Sequence, residues 1–177
     1  RDHIIGENAV FPFAGYVAMV GEAIRQTTGV QEAYALRHIL VNSALLLTEG
    51  HPVEVMVTFR PYRLTDSLDS SWWEFTVASH NGHAWTKHCT GQVKAVSESP
   101  DESEAQEPLP RRLGSRKCYE TMHKAGLCYG RQFQRLEDIS SGTLQQVAAA
   151  KVLNSKVGDE ANYHLHPVIV DACLQLL

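Results

Sequence analysis

Residues 73–95 read WEFTVASHNGHAWTKHCTGQVKA, and they are the strongest indication of the fold class in the sequence. From Trp73 to Val77, apolar side chains alternate with more polar ones, which is the period-two pattern of a half-buried strand. Asn81-Gly82 then predicts a two-residue hairpin turn, because such turns need a positive φ. The return strand is predicted over residues 84–95, so the stretch indicates two antiparallel strands.

Upstream of this hairpin, a helix is predicted over residues 13–28. Small and apolar residues recur there at helical spacing, Pro12 stands where a helix can begin, and Gly29 can end it. Further strands are predicted over residues 33–41, 44–48 and 53–59. One helix followed by antiparallel strands predicts an α+β fold with the helix packed on one face of the sheet.

The composition indicates an ordinary globular protein. The 177 residues are 44% hydrophobic and 20% charged, which suits about one domain or slightly more. A net charge of −4 argues against a nucleic-acid surface, since phosphate contacts need clustered Lys and Arg. No apolar run reaches the roughly 18 residues that cross a bilayer, so we expect neither a nucleic-acid nor a membrane partner.

Four cysteines in a chain of this length do not indicate a disulfide scaffold. None belongs to a CxxC pair, so we expect buried, reduced thiols in a cytoplasmic protein; they are Cys89, Cys118, Cys128 and Cys173. The chain opens at Arg1 without Met and stops inside an apolar run, and we expect both ends to continue into something larger.

The composition changes after residue 96, where an acidic, Pro-containing stretch begins. This predicts three parts: a first lobe over 1–96, an exposed linker over 97–114, and the first part of a second lobe over 115–177. In the last part, a helix is predicted over 118–127. Strands are predicted over 129–137 and 143–153, and a helix or strand over 168–177.

Three histidines around the hairpin raise the question of a metal site. His80, His83 and His88 lie close in sequence, but no Asp, Glu or Cys converges with them, so we expect an exposed polar hairpin and no metal. A GxSxG elbow, an SxxK motif and glycine-rich phosphate loops are all absent from the sequence, which argues against a serine hydrolase or a nucleotide enzyme.

Two segments could carry chemistry. Residues 3–16 read HIIGENAVFPFAGY, in which a His and a glycine loop lead into a helix start whose N–H groups could receive an oxyanion. Residues 166–175 read HPVIVDACLQ, where Asp171 and Gln175 would share a helix face. Burial would raise the pKa of Asp171, whereas a helix start would lower it. The residues alone leave open whether His3 is a base or a loop histidine, and whether Asp171 is an acid or a helix-start residue.

Both segments resemble motifs of one family, the dehydratase domains of polyketide synthases. His3 through Pro12 resembles its HxxxGxxxxP segment, and His166-Pro167 with Asp171 and Gln175 matches HPxxxDxxxQ. Tyr129-Gly130 with Phe133 matches its YGxxF segment. Three stretches resemble the fungal, highly reducing type: residues 14–16, 73–79 and 85–91.

One position departs from the family pattern. The motif's glycine normally falls four residues after the histidine, but Gly6 falls three after His3 and Glu7 takes the usual place. The distance from His3 to Pro12 is kept, so we expect a differently shaped loop rather than an inactive site.

The resemblance implies a double hotdog fold, in which each lobe is a helix wrapped by an antiparallel sheet, with the second lobe incomplete in this chain. It places one active site between the lobes, with His3 from the first and Asp171 from the second. The implied reaction removes water from a 3-hydroxyacyl thioester on an acyl carrier protein and gives a 2-enoyl thioester.

The resemblance also implies a role for each residue. His3 is the base and Asp171 the acid; Tyr129 and Gln175 orient the acid or the substrate hydroxyl. The N–H of Phe13 or Ala14 would meet charge on the carbonyl oxygen. The substrate loops are shaped by Gly6, Pro12, Gly130 and Phe133.

The expected partners follow from the same family. No metal or redox cofactor is expected in the domain, because the phosphopantetheine arm of the carrier protein delivers the substrate. Other domains of the same synthase and a homodimeric parent are the further partners.

Three other functions compete with this one. A product-template domain shares the fold and a His/Asp pair but directs aldol cyclisation, and the YGxxF segment favours the dehydratase. A non-catalytic hotdog lobe is disfavoured by the presence of both His3 and Asp171. A free-standing thioester hydrolase is disfavoured by the linker and the cut ends.

Overall fold

The computed structural model describes residues 2–30, 32–65, 68–97, 108–153 and 163–177. The chain divides into two compact units, one made of Arg1–Ala14 with Glu102–Leu177 and the other of Gly15–Asp101. This grouping differs from lobe boundaries at residues 96 and 115. His3 belongs with the later part of the chain, because the strand that contains it pairs with a strand of that part.

The helices and strands of the described residues follow one another in this order: β1 (His3–Ile5), β2 (Asn8–Ala9), α1 (Phe13–Thr28), β3 (Ala33–Val41), β4 (Glu54–Thr65), β5 (Leu68–His80), β6 (Trp85–Val96), β7 (Arg111–Leu113), α2 (Ser115–Lys124), β8 (Leu127–Tyr129), β9 (Leu136–Ser141), β10 (Ala148–Val152) and α3 (Pro167–Leu174). No described helix has the length and apolar character needed to span a bilayer.

The predicted helix over residues 13–28 is confirmed by α1. Gly29 follows it with a φ of 75°, and its N–H donates to the carbonyl oxygen of Arg25 at 2.8 Å. Glycine adopts this left-handed conformation at no steric cost, which is why the helix ends there.

The unit Gly15–Asp101 contains a four-stranded antiparallel sheet in the order β3-β6-β5-β4. Phe75 and Val77 of β5 are buried, as their alternation predicts. Gly21 of α1 lies directly against the ring of Tyr34 on β3, so the helix packs on this sheet. The α+β class is therefore confirmed.

The turn between β5 and β6 is longer than the two residues predicted. His80 pairs with Trp85, which leaves the loop Asn81–Ala84 between them. Gly82 has the positive φ expected of it, at 91°. The side-chain oxygen of Asn81 accepts hydrogen bonds from the N–H groups of His83 and Ala84, at 3.0 and 2.9 Å. This side-chain turn replaces the tight main-chain turn.

The strand predicted over residues 44–48 is wrong. Leu46 makes only an isolated bridge, and the segment runs into a turn where the N–H of His51 donates to the carbonyl oxygen of Thr48. Leu45 is buried, but Leu46 and Leu47 are exposed. One buried leucine holds this loop in place, so its apolar run does not indicate a strand.

His88 is not part of an exposed polar hairpin. It is buried, with Nε2 2.7 Å from the hydroxyl of Ser79 and Nδ1 3.1 Å from the carbonyl oxygen of Ser43. His83, in contrast, is exposed. Among the described residues, no group of three His, Cys, Asp or Glu side chains is placed to hold a metal ion.

The cysteines are all free, but they are not all buried. Cys89 is fully buried, Cys118 and Cys128 are half-buried, and Cys173 is exposed. The prediction of buried thiols is therefore wrong for Cys173, which lies near the end of α3 on the side facing solvent.

The predicted linker and the elements after it are corrected in part. Residues 98–107 lie outside the described residues, but Arg111–Leu113 form a strand that pairs with β9. The strand predicted over 129–137 is wrong between residues 130 and 135, where the N–H of Phe133 donates to the carbonyl oxygen of Gly130 in a turn. The strands on either side of this turn are β8 and β9. The helix predicted over 118–127 is α2, three residues earlier than predicted. The strand predicted over 143–153 is confirmed only in its second half, as β10.

Candidate active site

A short hairpin at the start of the chain positions His3. Strands β1 and β2 are joined by the two residues Gly6-Glu7, since Ile5 pairs with Asn8. Gly6 has a φ of 62°, and a two-residue hairpin with glycine at its first position needs that conformation. A glycine at position 6, three residues after His3, therefore suits this turn.

The hairpin also fixes the ring of His3. The N–H of Val10 donates to the carbonyl oxygen of His3 at 3.1 Å, and Nδ1 of His3 lies 2.9 Å from the carbonyl oxygen of Val10. A carbonyl oxygen can only accept, so Nδ1 carries a proton. In the neutral ring Nε2 then has a free lone pair, which makes it the basic nitrogen.

Pairing between β1 and β8 brings the first strand against residues more than 120 positions later in the sequence. His3 pairs with Tyr129, and their rings meet edge to face with centroids 5.7 Å apart. The ring of Phe133 lies 5.3 Å from that of His3 on a tilted plane. This pairing explains why His3 belongs to the same compact unit as residues 102–177.

Asp2 and Gly130 fasten this junction. The N–H of Gly130 donates to the carbonyl oxygen of Asp2 at 2.8 Å, and the Asp2 carboxylate accepts from the N–H of Gln132 at 3.1 Å. A Cβ on Gly130 would lie 2.5 Å from Cγ of Asp2, so only glycine permits this approach.

Helix α3 presents the carboxyl group. His166 caps its first turn by accepting from the N–H of Val168 at 3.3 Å, and Pro167 occupies the first helical position. Asp171 therefore lies in the second turn, where the helix dipole acts weakly. The Nε2 of Gln175 donates to Oδ2 of Asp171 at 2.8 Å, which is the i, i+4 pair that the sequence predicts.

His3 and Asp171 face one another. Nε2 of His3 lies 3.8 Å from Oδ1 of Asp171, and the two side chains are 13% and 7% exposed. Burial raises the pKa of the Asp171 carboxyl; the Gln175 hydrogen bond and the charge of His3 oppose that rise. The arrangement sets a proton acceptor opposite a carboxyl group that burial helps to keep protonated.

Two tyrosines surround the pair as neutral phenols. Burial raises the pKa of both Tyr119 and Tyr129, and the negative charge of Asp171 adds to the rise. Both line a cleft of about 570 Å³, which neither His3 nor Asp171 lines. Charged residues of both signs also line this cleft, among them Arg116, Glu120 and Lys124 of α2.

The sequence did not single out Tyr119, yet its hydroxyl donates to Oε1 of Gln175 at 3.0 Å. Its spacing from Met122 along α2 would have indicated a buried face, but that signal predicts only a core residue.

The remaining predicted residues lie at the start of α1. Phe13 and Ala14 open this helix directly after Pro12, and first-turn N–H groups lack partners within a helix. Ala14 is fully buried. Their role as oxyanion donors stays a prediction.

Comparison with known proteins gives the same family at both ends of the chain. Residues 1–80 match a family model described as polyketide synthase dehydratase domain. Residues 97–177 match one described as polyketide synthase dehydratase N-terminal domain.

The chain is also similar to fungal synthases. It is 55% identical to the highly reducing polyketide synthase sphB of Aspergillus fumigatus over 177 residues, which is 100% of this chain and 7% of that protein. It is 50% identical to the highly reducing polyketide synthase g433 of a Fusarium species over 99% of this chain and 7% of that protein. The chain thus spans a small part of the curated relatives it matches.

Among solved structures, the dehydratase domain from the CurF module of curacin polyketide synthase superposes with a TM-score of 0.82 at 18% identity, over 99% of this chain and 63% of that one. This likeness confirms the hotdog fold. Fold and sequence together define a hotdog domain of a multidomain synthase. The chain belongs to the polyketide synthase dehydratase domains, and its relatives indicate the fungal highly reducing type.

Proposed function

We propose that this chain removes water from a 3-hydroxyacyl thioester and releases a 2-enoyl thioester, with His3 as the base and Asp171 as the acid. The observation that carries the proposal is the 3.8 Å separation of Nε2 of His3 and Oδ1 of Asp171. Membership of the family supports dehydration in general; the two residues and the substrate are the proposal.

His3 suits the first proton transfer. The proton beside a thioester carbonyl is weakly acidic, so a positioned neutral base is needed at working pH. The Val10 carbonyl holds the proton of the ring on Nδ1 and leaves Nε2 free to accept. Without that contact the ring could turn or carry its proton on the wrong nitrogen.

Asp171 suits the second transfer. Hydroxide leaves poorly unless it is protonated, which calls for a neutral carboxyl group. Burial raises the pKa of Asp171 and so favours the protonated form. Because Oδ2 accepts from Gln175, the proton resides on Oδ1, which faces His3.

The atoms and electrons of the step balance. Nε2 takes the α-proton, and the electrons of that C–H bond form the α,β double bond. The bond from the β-carbon to oxygen breaks, and the hydroxyl leaves as water with the proton of Asp171. The pair ends as an imidazolium and a carboxylate, which attract each other until proton exchange restores the starting forms.

Charge on the thioester oxygen would be met by the first N–H groups of α1, from Phe13 or Ala14. The reaction as proposed uses no cofactor of the chain itself, since the phosphopantetheine arm of an acyl carrier protein brings the substrate. The carrier and the other domains of a synthase are the proposed partners, with the parent as a homodimer.

The test is a mass-spectrometric assay of the protein carrying this chain with a 3-hydroxybutyryl thioester on a carrier protein. We expect loss of one water, and a fall of about 100-fold or more in His3→Ala and in Asp171→Asn. Matched controls are His83→Ala and Asp138→Asn, which make the same changes at exposed positions. They should turn over at the wild-type rate.

Two results would overturn the proposal. A folded wild-type protein that releases no water would exclude dehydration, and cyclisation of a poly-β-keto substrate by it would assign the product-template function instead. Wild-type turnover by either site variant would remove that residue from the mechanism.

A further inference from the structure

Tyr119 lies at the meeting point of three elements. It belongs to α2, is 8% exposed, and packs in a core with Leu136, Ile139 and Ala172. Because Leu136 opens β9 and Ala172 lies on α3 beside Asp171, the residue joins two elements to the helix that carries the acid.

The hydroxyl of Tyr119 has both of its hydrogen-bonding roles filled. It accepts from the N–H of Leu136 at 3.1 Å and donates to Oε1 of Gln175 at 3.0 Å. The Nε2 of Gln175 then donates to the carbonyl oxygen of Phe133 at 3.1 Å and to Asp171 at 2.8 Å. Each polar atom of the Gln175 side chain is hydrogen-bonded, so its amide group faces the Asp171 carboxyl group in one orientation.

The ring of Tyr119 is connected to His3, the other member of the His3–Asp171 pair, through Tyr129. It meets the ring of Tyr129 edge to face, with centroids 6.3 Å apart. Tyr129 in turn lies edge to face against His3, at 5.7 Å. Aromatic contacts of this kind fix ring positions because the edge of one ring attracts the face of the other.

We infer that Tyr119 is a positioning residue for both members of the pair: its hydroxyl holds Asp171 through Gln175, and its ring holds His3 through Tyr129. This inference rests on the proposed function, in which His3 and Asp171 act together. The role toward Asp171 depends on the hydroxyl oxygen of Tyr119, and the role toward His3 depends on its ring.

Two substitutions test the two roles. Tyr119→Phe keeps the ring and removes the hydroxyl, so Gln175 loses one tether and its bond to Asp171 weakens. That bond opposes the rise in the pKa of Asp171, so the pKa should rise further while kcat falls about 10-fold and KM stays unchanged. Tyr119→Leu removes both contacts and should lower kcat further, because His3 is loosened as well.

Ile139→Val is the matched control for lost stability. Ile139 packs in the same core but lies among apolar side chains, so this variant should lower the melting temperature and leave kcat and the pKa of Asp171 unchanged. The double variant Tyr119→Phe with Gln175→Ala should be no slower than Gln175→Ala alone, because Tyr119 acts through Gln175 on this side.

The readout that does not depend on turnover is the carboxyl ¹³C chemical shift of Asp171, titrated in the full chain and assigned through Asp171→Asn. An upward shift of that titration in Tyr119→Phe, absent in Ile139→Val, supports the inference even if the wild type releases no water. An unchanged titration with unchanged kcat overturns it. An additive loss of kcat in the double variant also overturns it, since Tyr119 would then act independently of Gln175.

Discussion

Gly130→Ala tests how closely Asp2 must approach Gly130 for His3 to be in place. The added Cβ would lie 2.5 Å from Cγ of Asp2 and 2.8 Å from its Cβ. Rotation of the carboxylate could relieve the first contact but not the second, because Cβ is attached to the main chain. Ordinary contact begins near 3.4 Å, so the Cβ of Asp2 must withdraw by about 0.6 Å.

The displacement should weaken stability and activity together. Moving Asp2 strains its hydrogen bonds with the N–H groups of Gly130 and Gln132, which with the overpacking costs about 1–3 kcal/mol of the free energy of unfolding. His3 is the next residue along the strand, and a shift of about 1 Å in a catalytic group costs up to about 100-fold in rate. We therefore expect kcat for water loss to fall by about 10- to 100-fold.

The assay combines urea unfolding with the thioester dehydration rate. Gly114→Ala is the control, since a Cβ there meets no atom within 4 Å and its φ of −70° suits alanine. It should change stability by less than about 1 kcal/mol and leave the rate unchanged. A Gly130→Ala protein with wild-type turnover would refute the link between this contact and His3.

Three further predictions concern other parts of the molecule. Burial raises the pKa of Asp171 in the folded state, so the stabilisation from its protonated carboxyl is complete below the ordinary value of 3.8 and is lost as pH rises through the folded pKa. The urea midpoint of the wild type should therefore fall over that pH range relative to the midpoint of Asp171→Asn. Midpoints of the two proteins that change in parallel with pH would contradict this. Iodoacetamide should modify the exposed Cys173 in the folded protein but not Cys89, because burial raises the pKa of the Cys89 thiol to about 11. Equal labelling of the two cysteines would show that the Cys89 thiol is accessible. Gly21→Ala should lower the free energy of unfolding by about 1–3 kcal/mol or more, because its Cβ would lie 2.1 Å from the Tyr34 ring. Adding Tyr34→Ala to the same protein should restore part of that loss. An unchanged stability of Gly21→Ala would mean that α1 can shift away from Tyr34.

The sequence correctly predicted helices and strands whose signals lie within the segment itself. Residues 13–28 carry their own helical spacing and stop signal, and the alternation around Phe75 follows from a sheet with one buried face. The i, i+4 spacing of Asp171 and Gln175 likewise sufficed to pair them.

Contacts between residues distant in the sequence could not be predicted from local patterns. Nothing near Tyr119 signals that its hydroxyl meets Gln175, 56 residues further along, because that contact depends on how α2 and α3 pack. The sequence predicted His88 to be an exposed polar residue of the hairpin. Its burial depends on hydrogen-bond partners that lie elsewhere in the sequence, Ser43 and Ser79. Apolar composition alone also misled at residues 44–48, where one buried leucine anchors a loop.

The pairing of β1 with β8 also sets an order in which the protein can form during synthesis. Asp2 bonds to Gln132, 130 residues later, whereas Gly15–Asp101 is a continuous stretch. At about 5–20 residues per second, position 171 is made on the order of ten to thirty seconds after position 3. The continuous unit can therefore fold on the ribosome while the first hairpin still lacks its partner strand. The basic nitrogen of His3 meets its acid only after residue 171 has emerged, so a chain terminated between residues 101 and 171 would carry the residues of the continuous sheet and no reactive pair.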